Sequence, residues 1–168
     1  MNAVLWQVRQ GGTAYYKSSY EPWGYYAGYR YPGYDPLAYA IREAHKRGME
    51  VHAWFNTFDA SSTHDGAPSH EHPEWVCRDR DGNPMTSHRS LSPGLPEVRA
   101  YLVKVAMEIV RKYDIDGLHL DYVRWNEYTN GLQSQRFAKM FPEDRMLDGM
   151  ITEAQIEELN SNQAGRYL

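Results

Sequence analysis

Apolar and polar residues alternate with a period of two in three short segments of the chain, which is typical of half-buried β-strands. These segments are residues 2–9, 50–56 and 116–123. Two longer segments, residues 35–49 and 95–113, instead place apolar residues at the spacing of one helix face. The alternation of strands and helices predicts right-handed crossovers and a parallel sheet, as in an α/β fold.

The predicted helices carry residues that favour their starts and ends. Asp35 is suited to cap the first helix, Pro36 to occupy its first position and Gly48 to end it. Pro96 begins the second helix. Two shorter helices are predicted further along the chain, at residues 134–141 and 152–160.

In each predicted strand, one face is apolar and the other becomes polar toward the carboxyl end. The polar face carries Gln7, Arg9, His52, Trp54, Asn56, His119 and Asp121. A doubly wound sheet is covered by helices on both faces, so both faces should stay apolar. A (β/α) barrel instead has an inward face, and its functional groups gather at the carboxyl ends of the strands. The pattern therefore favours a barrel, with the polar side chains directed to its inside.

Composition narrows the classes of function. The 168 residues carry a net charge of −4 and contain no long basic run, so we expect no nucleic-acid partner. No apolar stretch approaches the roughly 20 residues that span a bilayer, and no signal-peptide pattern opens the chain, so we expect no membrane insertion. The single cysteine, Cys77, excludes an intrachain disulfide and leaves the compartment open. Nothing near it in sequence resembles a site that activates a thiol.

The connection between the first strand and the first helix is rich in aromatic residues, in a chain that holds 14 Tyr and 5 Trp. Aromatic rings at the mouth of a pocket suit the faces of sugars, because a ring stacks on apolar C–H surfaces while polar groups bind hydroxyls. The alternative is that these rings pack the connection against itself. We expect most of them to do so and one or two to contact a ligand, with Trp23 as the candidate.

The segment from residue 57 to residue 94 is longer than ordinary loops and is therefore predicted to be functional or partly ordered by substrate. It contains four histidines that could suggest a metal site: His64, His70, His72 and His88. Their spacing matches no helical or finger motif for zinc. We therefore expect neither a metal nor another cofactor, and a metal-dependent hydrolase is a less favoured alternative.

Several long motifs resemble those of one bacterial family. "NAVLWQVR", "YEPW", "PGYDPLAYAIREAHKRGMEVHAWFN", "HPEWV" and "SPGLPEVRAYLVKVAMEIVRKYDIDGLHLDY" occur in the order found in glycosyl hydrolase-like family ten. The resemblance implies a (β/α)8-barrel glycoside hydrolase acting on a poly- or oligosaccharide, with bacterial cell-wall glycan as one such substrate. It also implies a secreted or envelope protein. The family usually reads Asp-Asp-Tyr where this chain has Asp121-Tyr122, so one acidic residue is absent, and it commonly has Pro after Asn56, where this chain has Thr57.

By this resemblance, the three predicted strands are the second, third and fourth of the barrel. A complete barrel needs about 250 residues, so residues 1–168 are predicted to be a fragment of a single barrel domain, of about three βα units. Open strand edges and an uncovered inner face should make the fragment prone to aggregate and inactive alone.

Glycoside hydrolysis generally uses two carboxyl groups. The resemblance makes Asp121, at the end of the fourth barrel strand, the candidate nucleophile or transition-state stabiliser. Arg9 is expected to hold Asp121 ionised or to bind substrate. The other predicted substrate-binding residues are Gln7, His52, Trp54, Asn56, His119, Tyr122, Arg124 and Trp23. The acid/base partner is expected on a later strand, with Asp59 and Glu127 as the nearby substitutes.

Three alternatives stay open. Asp121 could be a structural residue that pairs with Arg9 or Arg124. His52 and His119 could be core histidines with satisfied hydrogen bonds. The protein as a whole could be a non-catalytic carbohydrate-binding module, or a degenerate barrel that retains its aromatic rim.

Overall fold

The computed structural model describes residues 2–78, 82–86 and 89–124. The strands are β1 (Ala3–Gln10), β2 (Thr13–Ala14), β3 (Glu50–Asn56) and β4 (Gly117–Asp121), and the helices are α1 (Pro36–His45), α2 (Pro68–Glu71) and α3 (Pro96–Lys112). The helices predicted at 134–141 and 152–160 lie outside the described residues. Nearly all described residues belong to one compact unit; Arg78 and residues 82–86 belong to a second, in which Arg78 donates to the Gly82 carbonyl.

The sheet has the order β2-β1-β3-β4, and β1, β3 and β4 are parallel. This confirms the prediction that three parallel strands lie side by side in chain order. The unpredicted strand β2 folds back antiparallel onto the carboxyl end of β1. Gly11 and Gly12 make this turn with φ of 63° and 80°, a left-handed backbone that residues with a Cβ adopt at a cost.

Helices α1 and α3 supply the apolar side chains that cover one face of the sheet. Alternate residues of β3, namely Val51, Ala53 and Phe55, are directed to this face and are at most 1% exposed. The helices contribute Leu37, Ile41, Ala44, Val98, Leu102, Val105 and Ile109 to the same cluster. Burying one large aliphatic side chain stabilises the fold by about 1.5–3 kcal/mol, so this layer is a main source of stability. No helix among the described residues is long and apolar enough to cross a membrane.

Helix α1 begins as the sequence predicts. Pro36 is its first residue, and the Asp35 carboxylate accepts a hydrogen bond from the backbone N–H of Ala38 at 3.2 Å. The Tyr113 hydroxyl donates to the other oxygen of Asp35 at 2.6 Å, so the same cap also ties α1 to the end of α3. The helix ends at His45, and Gly48 follows with a φ of 67° that turns the chain into β3.

The opposite face of the sheet remains accessible among the described residues. Leu5 is 51% exposed, His119 is exposed, and Gln7 and Trp54 are half-buried on this face. The register places Gln7 beside Trp54 and Trp54 beside His119. This open face is the one that the sequence pattern predicts for the inside of a barrel.

Arg9 does not share this open face, and the prediction that it pairs with Asp121 is wrong. The register between β1 and β3 shifts by one residue, because Gln7 lies beside Trp54 whereas Arg9 lies beside Phe55. An extra residue in one strand is a β-bulge, which redirects the side chains after it. Arg9 therefore lies on the helix-covered side, fully buried, with its guanidinium 5.1 Å from the centre of the Phe55 ring.

The guanidinium of Arg9 is surrounded by acceptors in this buried layer. Its Nη2 forms an ion pair with Glu21 at 2.7 Å, and its Nε donates to the same carboxylate at 2.9 Å. Its Nη1 donates to the backbone carbonyls of Asn56, Thr57 and Asp59. Burial by itself lowers the pKa of Arg9, but the charge and hydrogen bonds of Glu21 outweigh it and raise the pKa, so the guanidinium stays charged.

The connection after β1 is also fixed to α3. Glu108 accepts hydrogen bonds from the Ser18 hydroxyl at 2.9 Å and from the Ser19 backbone N–H at 2.8 Å. The hydroxyl of the fully buried Tyr16 donates to the same carboxylate at 3.1 Å. Part of the tyrosine-rich connection therefore packs on the protein itself, as predicted for most of its rings.

The substitution Glu21→Gln should lower the free energy of unfolding by about 3–5 kcal/mol, because it leaves the buried charge of Arg9 without its counter-ion. Urea denaturation measures this change. Glu43→Gln is the matched control: Glu43 also contacts three basic side chains, Arg42, Lys46 and Arg47, but at the surface, so its loss should barely change stability. Equal effects of the two substitutions would contradict the central role of the buried pair.

Cys77 is a buried thiol, 3% exposed, and burial raises its pKa to about 11. Because the thiolate is the reactive form, native Cys77 should be modified very slowly by a disulfide reagent at pH 8 and fully after unfolding in guanidinium. Mass spectrometry of the labelled Cys77 peptide reads the result. The rate in the native state should rise with pH up to about 11, since the thiolate fraction rises. Rapid native labelling at pH 7 would show an activated thiol.

Candidate active site

The carboxyl ends of β3 and β4 bring two polar side chains together at one edge of the sheet. Asp121 is the last residue of β4 and lies directly beside Asn56, the last residue of β3. Trp54 precedes Asn56 by two residues, so its side chain points to the same face. Parallel strands end at a common edge, and in barrel enzymes this edge carries the catalytic groups.

The carboxylate of Asp121 is held by two hydrogen-bond donors. The indole Nε1–H of Trp54 donates to Oδ2 at 3.0 Å, and the backbone N–H of Tyr122 donates to Oδ1 at 2.7 Å. The residue is half-buried. Among the residues that the structure describes, no ion pair joins Asp121 to Arg9 or Arg124, so the alternative of a structural aspartate paired to arginine has no support here.

Tyr122 has a backbone conformation that is rare for a residue with a Cβ. Its φ is +52°, in the left-handed region, which costs on the order of 1–3 kcal/mol and is enriched at functional sites. Two hydrogen bonds beyond the strand hold it: Thr57 N–H donates to the Asp121 carbonyl at 2.7 Å and Phe58 N–H to the Tyr122 carbonyl at 3.4 Å. The Arg124 guanidinium lies 4.7 Å from the centre of the Tyr122 ring. This turn aims the N–H of Tyr122 at the Asp121 carboxylate.

Asn56 carries an unpaired acceptor at the same edge. The residue is 3% exposed, and its side-chain oxygen Oδ1 has no hydrogen-bond partner. An unpaired buried polar group costs about 1–3 kcal/mol. Because this oxygen is closed to solvent in the structure, Asn56 lies beside Asp121 without presenting a free acceptor at the surface.

The remaining predicted residues divide into two groups. Gln7 and His119 lie on the open face beside Trp54, close to the carboxyl edge. His52 lies four residues before Asn56, beside Gly117, and its Nε2 contacts the Glu50 carboxylate at 2.9 Å. Four residues of strand correspond to about 13 Å, so the structure does not bring His52 to Asp121.

Trp23 and Asp59 contact residues of the connections that follow β1 and β3. The Trp23 ring packs on Tyr31 with centroids 5.6 Å apart. Both carboxylate oxygens of Asp59 accept hydrogen bonds from backbone N–H groups, one from Gly11 at 2.9 Å and one from Ser61 at 3.2 Å. Asp59 therefore acts as a loop anchor, which argues against it as the acid/base partner; Glu127, the other candidate, lies outside the described residues.

The loop histidines have separate surroundings. His64 packs on Tyr29 with ring centroids 5.0 Å apart, His70 contacts the Ser62 carbonyl at 3.1 Å, and His72 stacks on Trp75 at 3.9 Å. Within the described part of the chain, no three His, Cys, Asp or Glu side chains converge as a metal site would require. His88 lies outside the described residues.

Sequence reasoning missed Glu21 and Tyr101, whose hydroxyl donates to the Glu21 carboxylate at 3.1 Å. Tyr101 is separated from Glu21 by 80 positions, and no periodicity connects the two residues. The one sequence signal was the acidic residue inside the "YEPW" motif, in an otherwise aromatic stretch.

A parallel β/α sheet with one open face is the architecture of part of an α/β barrel, and a solved structure agrees. A maltogenic alpha-amylase, AmyB from Thermotoga neapolitana, superposes with a TM-score of 0.54 at 21% sequence identity, covering 75% of this chain and 32% of that chain. The chain thus has the fold of part of an α/β barrel, as predicted. It belongs to glycosyl hydrolase-like family 10, whose family model matches residues 1–140.

Two similar proteins are named glycosyl hydrolases. Glycosyl hydrolase YngK from Bacillus subtilis (strain 168) is 42% identical over an alignment of 131 residues, which covers 72% of this chain and 24% of that protein. Glycosyl hydrolase DigH from Escherichia coli (strain K12) is 34% identical over an alignment of 139 residues, which covers 72% of this chain and 30% of that protein. The chain therefore spans 24% to 30% of the length of these relatives.

Proposed function

We propose that the whole protein hydrolyses a glycosidic bond of a poly- or oligosaccharide, with Asp121 as the nucleophile or as the charge that stabilises the transition state. The observation that supports this most is the orientation of the Asp121 carboxylate at the open edge of the sheet, by Trp54 and by the Tyr122 backbone. A fixed carboxylate can stabilise the positive charge that develops on the sugar ring during cleavage. The membership of a glycosyl hydrolase-like family supports the same reaction class.

In this proposal, the neighbouring side chains bind the sugar that is cleaved. Asn56, which lies directly beside Asp121, belongs to the same subsite. Gln7 and His119, beside Trp54 on the open face, offer further polar contacts. The second carboxyl group that the reaction needs comes from elsewhere in the protein, since the oxygens of Asp59 are bound to backbone amides. Cell-wall glycan is one candidate substrate, which the family resemblance suggests.

A non-catalytic carbohydrate-binding protein is the second candidate. It is favoured by tyrosine rings that remain exposed in the connection after β1, with Tyr25 68% and Tyr26 78% exposed. Such a protein would bind glycans without turnover, and replacement of Asp121 would not change any reaction rate. The two functions are therefore separated by the same substitution.

The substitution Asp121→Asn in the full-length protein should lower kcat on a glycan about a thousandfold, or about 4 kcal/mol in activation free energy, because the amide lacks the negative charge. KM should change little, since the amide keeps the size of the carboxylate and can accept one of its two hydrogen bonds. Asp114→Asn is the matched control: Asp114 is 94% exposed and precedes β4, at the other end of the sheet. Near-normal kcat in a folded Asp121→Asn protein would overturn the proposal.

The substitution Trp54→Phe tests whether Trp54 positions Asp121 or only stacks on a sugar. Phenylalanine keeps an aromatic face but removes the N–H that donates to Oδ2 of Asp121. Loss of one hydrogen bond to a charged group should lower kcat about tenfold or more with a small change in KM. Trp54→Ala removes both features and should raise KM as well. An unchanged kcat in Trp54→Phe would limit Trp54 to a stacking role.

A further inference from the structure

A cavity lies in the connection after β1, and none of the residues assigned to the site around Asp121 lines it. It has a volume of about 190 Å³. Its walls come from the β1–β2 hairpin, from the 3-10 turn Tyr25–Ala27 and the residues beside it, and from the loop after β3. The lining residues are Gln10, Gly11, Thr13, Tyr15, Tyr25, Tyr26, Tyr29, Ser61 and Ser62.

The aromatic rings of this tyrosine cavity are exposed but mutually packed. Tyr25 packs edge-to-face on Tyr26, with centroids 5.4 Å apart, and on Tyr29, with centroids 6.0 Å apart. Tyr15 lies 6.1 Å from Tyr26. The rings of Tyr25 and Tyr26 are mostly in solvent and do not belong to the buried core cluster. Grouped exposed aromatic surface of this kind marks binding sites.

The backbone around the rings is fixed in a way that keeps the cavity open. A Cβ at Gly24 would lie 2.5 Å from the Tyr15 ring, so only glycine allows the ring its place. A Cβ at Gly11 would lie 2.9 Å from the Ser62 nitrogen, and Ser62 N–H donates to the Gly11 carbonyl at 3.0 Å. Tyr29 has a left-handed φ of 56°, held by its N–H bond to the Gly24 carbonyl at 3.1 Å. The cavity is therefore formed before any ligand binds.

The chemistry of the lining selects a class of ligand. None of the lining residues carries a charge, and the polar groups are hydroxyls and the amide of Gln10, whose oxygen accepts a bond from the Tyr15 hydroxyl at 3.3 Å. Aromatic faces stack on the C–H surfaces of a sugar, while hydroxyls and amides bind its hydroxyl groups. An anionic ligand would find no counter-charge among these lining residues. The volume suits one ring rather than a chain of several.

We propose that the tyrosine cavity is a separate subsite for one neutral sugar ring of a glycan. This inference rests on the proposed function only in that the protein meets glycans; it does not require Asp121 to be catalytic. A glycan chain that occupies both the tyrosine cavity and the site around Asp121 would be bound at a point remote from the bond that is cleaved. Such remote contacts contribute binding energy without touching the reacting atoms.

The test measures binding by calorimetry in full-length protein that carries Asp121→Asn, so that hydrolysis of the probe does not contribute to the measured heat. The probes are maltotetraose and N-acetylchitotetraose, two neutral oligosaccharides. Tyr25→Ala should weaken the binding of at least one probe about tenfold, and Tyr25→Phe, which keeps the ring, should weaken it less. Tyr39→Ala is the matched control, because Tyr39 is 52% exposed but lies on α1 outside the cavity.

Unchanged affinity in a folded Tyr25→Ala protein would overturn the inference, as would failure of both probes to bind the protein with an intact cavity. An equal loss in Tyr39→Ala would also overturn it, since the effect would then be general. Ser62→Ala removes a hydroxyl from the wall formed by the loop after β3, and it should also weaken the binding of the same probe. If Asp121→Asn leaves hydrolysis intact, the proposed reaction fails while the calorimetric result for Tyr25 still decides the subsite.

Discussion

The buried ion pair between Arg9 and Glu21 is the interaction on which the carboxyl edge of the sheet depends. One guanidinium binds a carboxylate from the connection after β1 and also three backbone carbonyls at the end of β3 and just beyond it, those of Asn56, Thr57 and Asp59. Removing a charge from water costs several kcal/mol unless partners replace the water. In this protein, the carboxylate and the carbonyls replace the water around Arg9. As a result, the connections that follow β1 and β3, which have little regular structure, are both attached to the carboxyl end of β1.

The candidate active site and the ion pair lie on opposite sides of the same strand ends. The backbone carbonyl of Asn56 binds Arg9 within the helix-covered layer, while its unpaired side-chain oxygen lies at the edge next to Asp121. The β-bulge near Val8 makes this division possible, because it turns Arg9 away from the open face. The guanidinium of Arg9, which was expected beside Asp121, instead pairs with Glu21 and stabilises the helix-covered layer. Asp121 is oriented by Trp54 and by the strained backbone of Tyr122.

The tyrosine-rich connection combines two functions that its composition could not separate. Tyr16 is fully buried and reaches Glu108 on α3, so it anchors the connection to the core. Tyr25 and Tyr26 remain in solvent around a preformed cavity. Between these two groups, Gly24 leaves the space that the Tyr15 ring fills beside the cavity.

The sequence by itself determined the parallel β/α order, the helix cap at Asp35, the apolar stripe of α3 and the position of Asp121 at a strand end. These follow from periodicity and capping, which act between residues close in the chain. Only the tertiary structure decided which face Arg9 occupies and that Glu21, rather than Asp121, is its partner. A bulge of one residue inverts side-chain direction without any signature in the alternation of residues 2–9, and the partners of a buried charge are chosen by three-dimensional proximity.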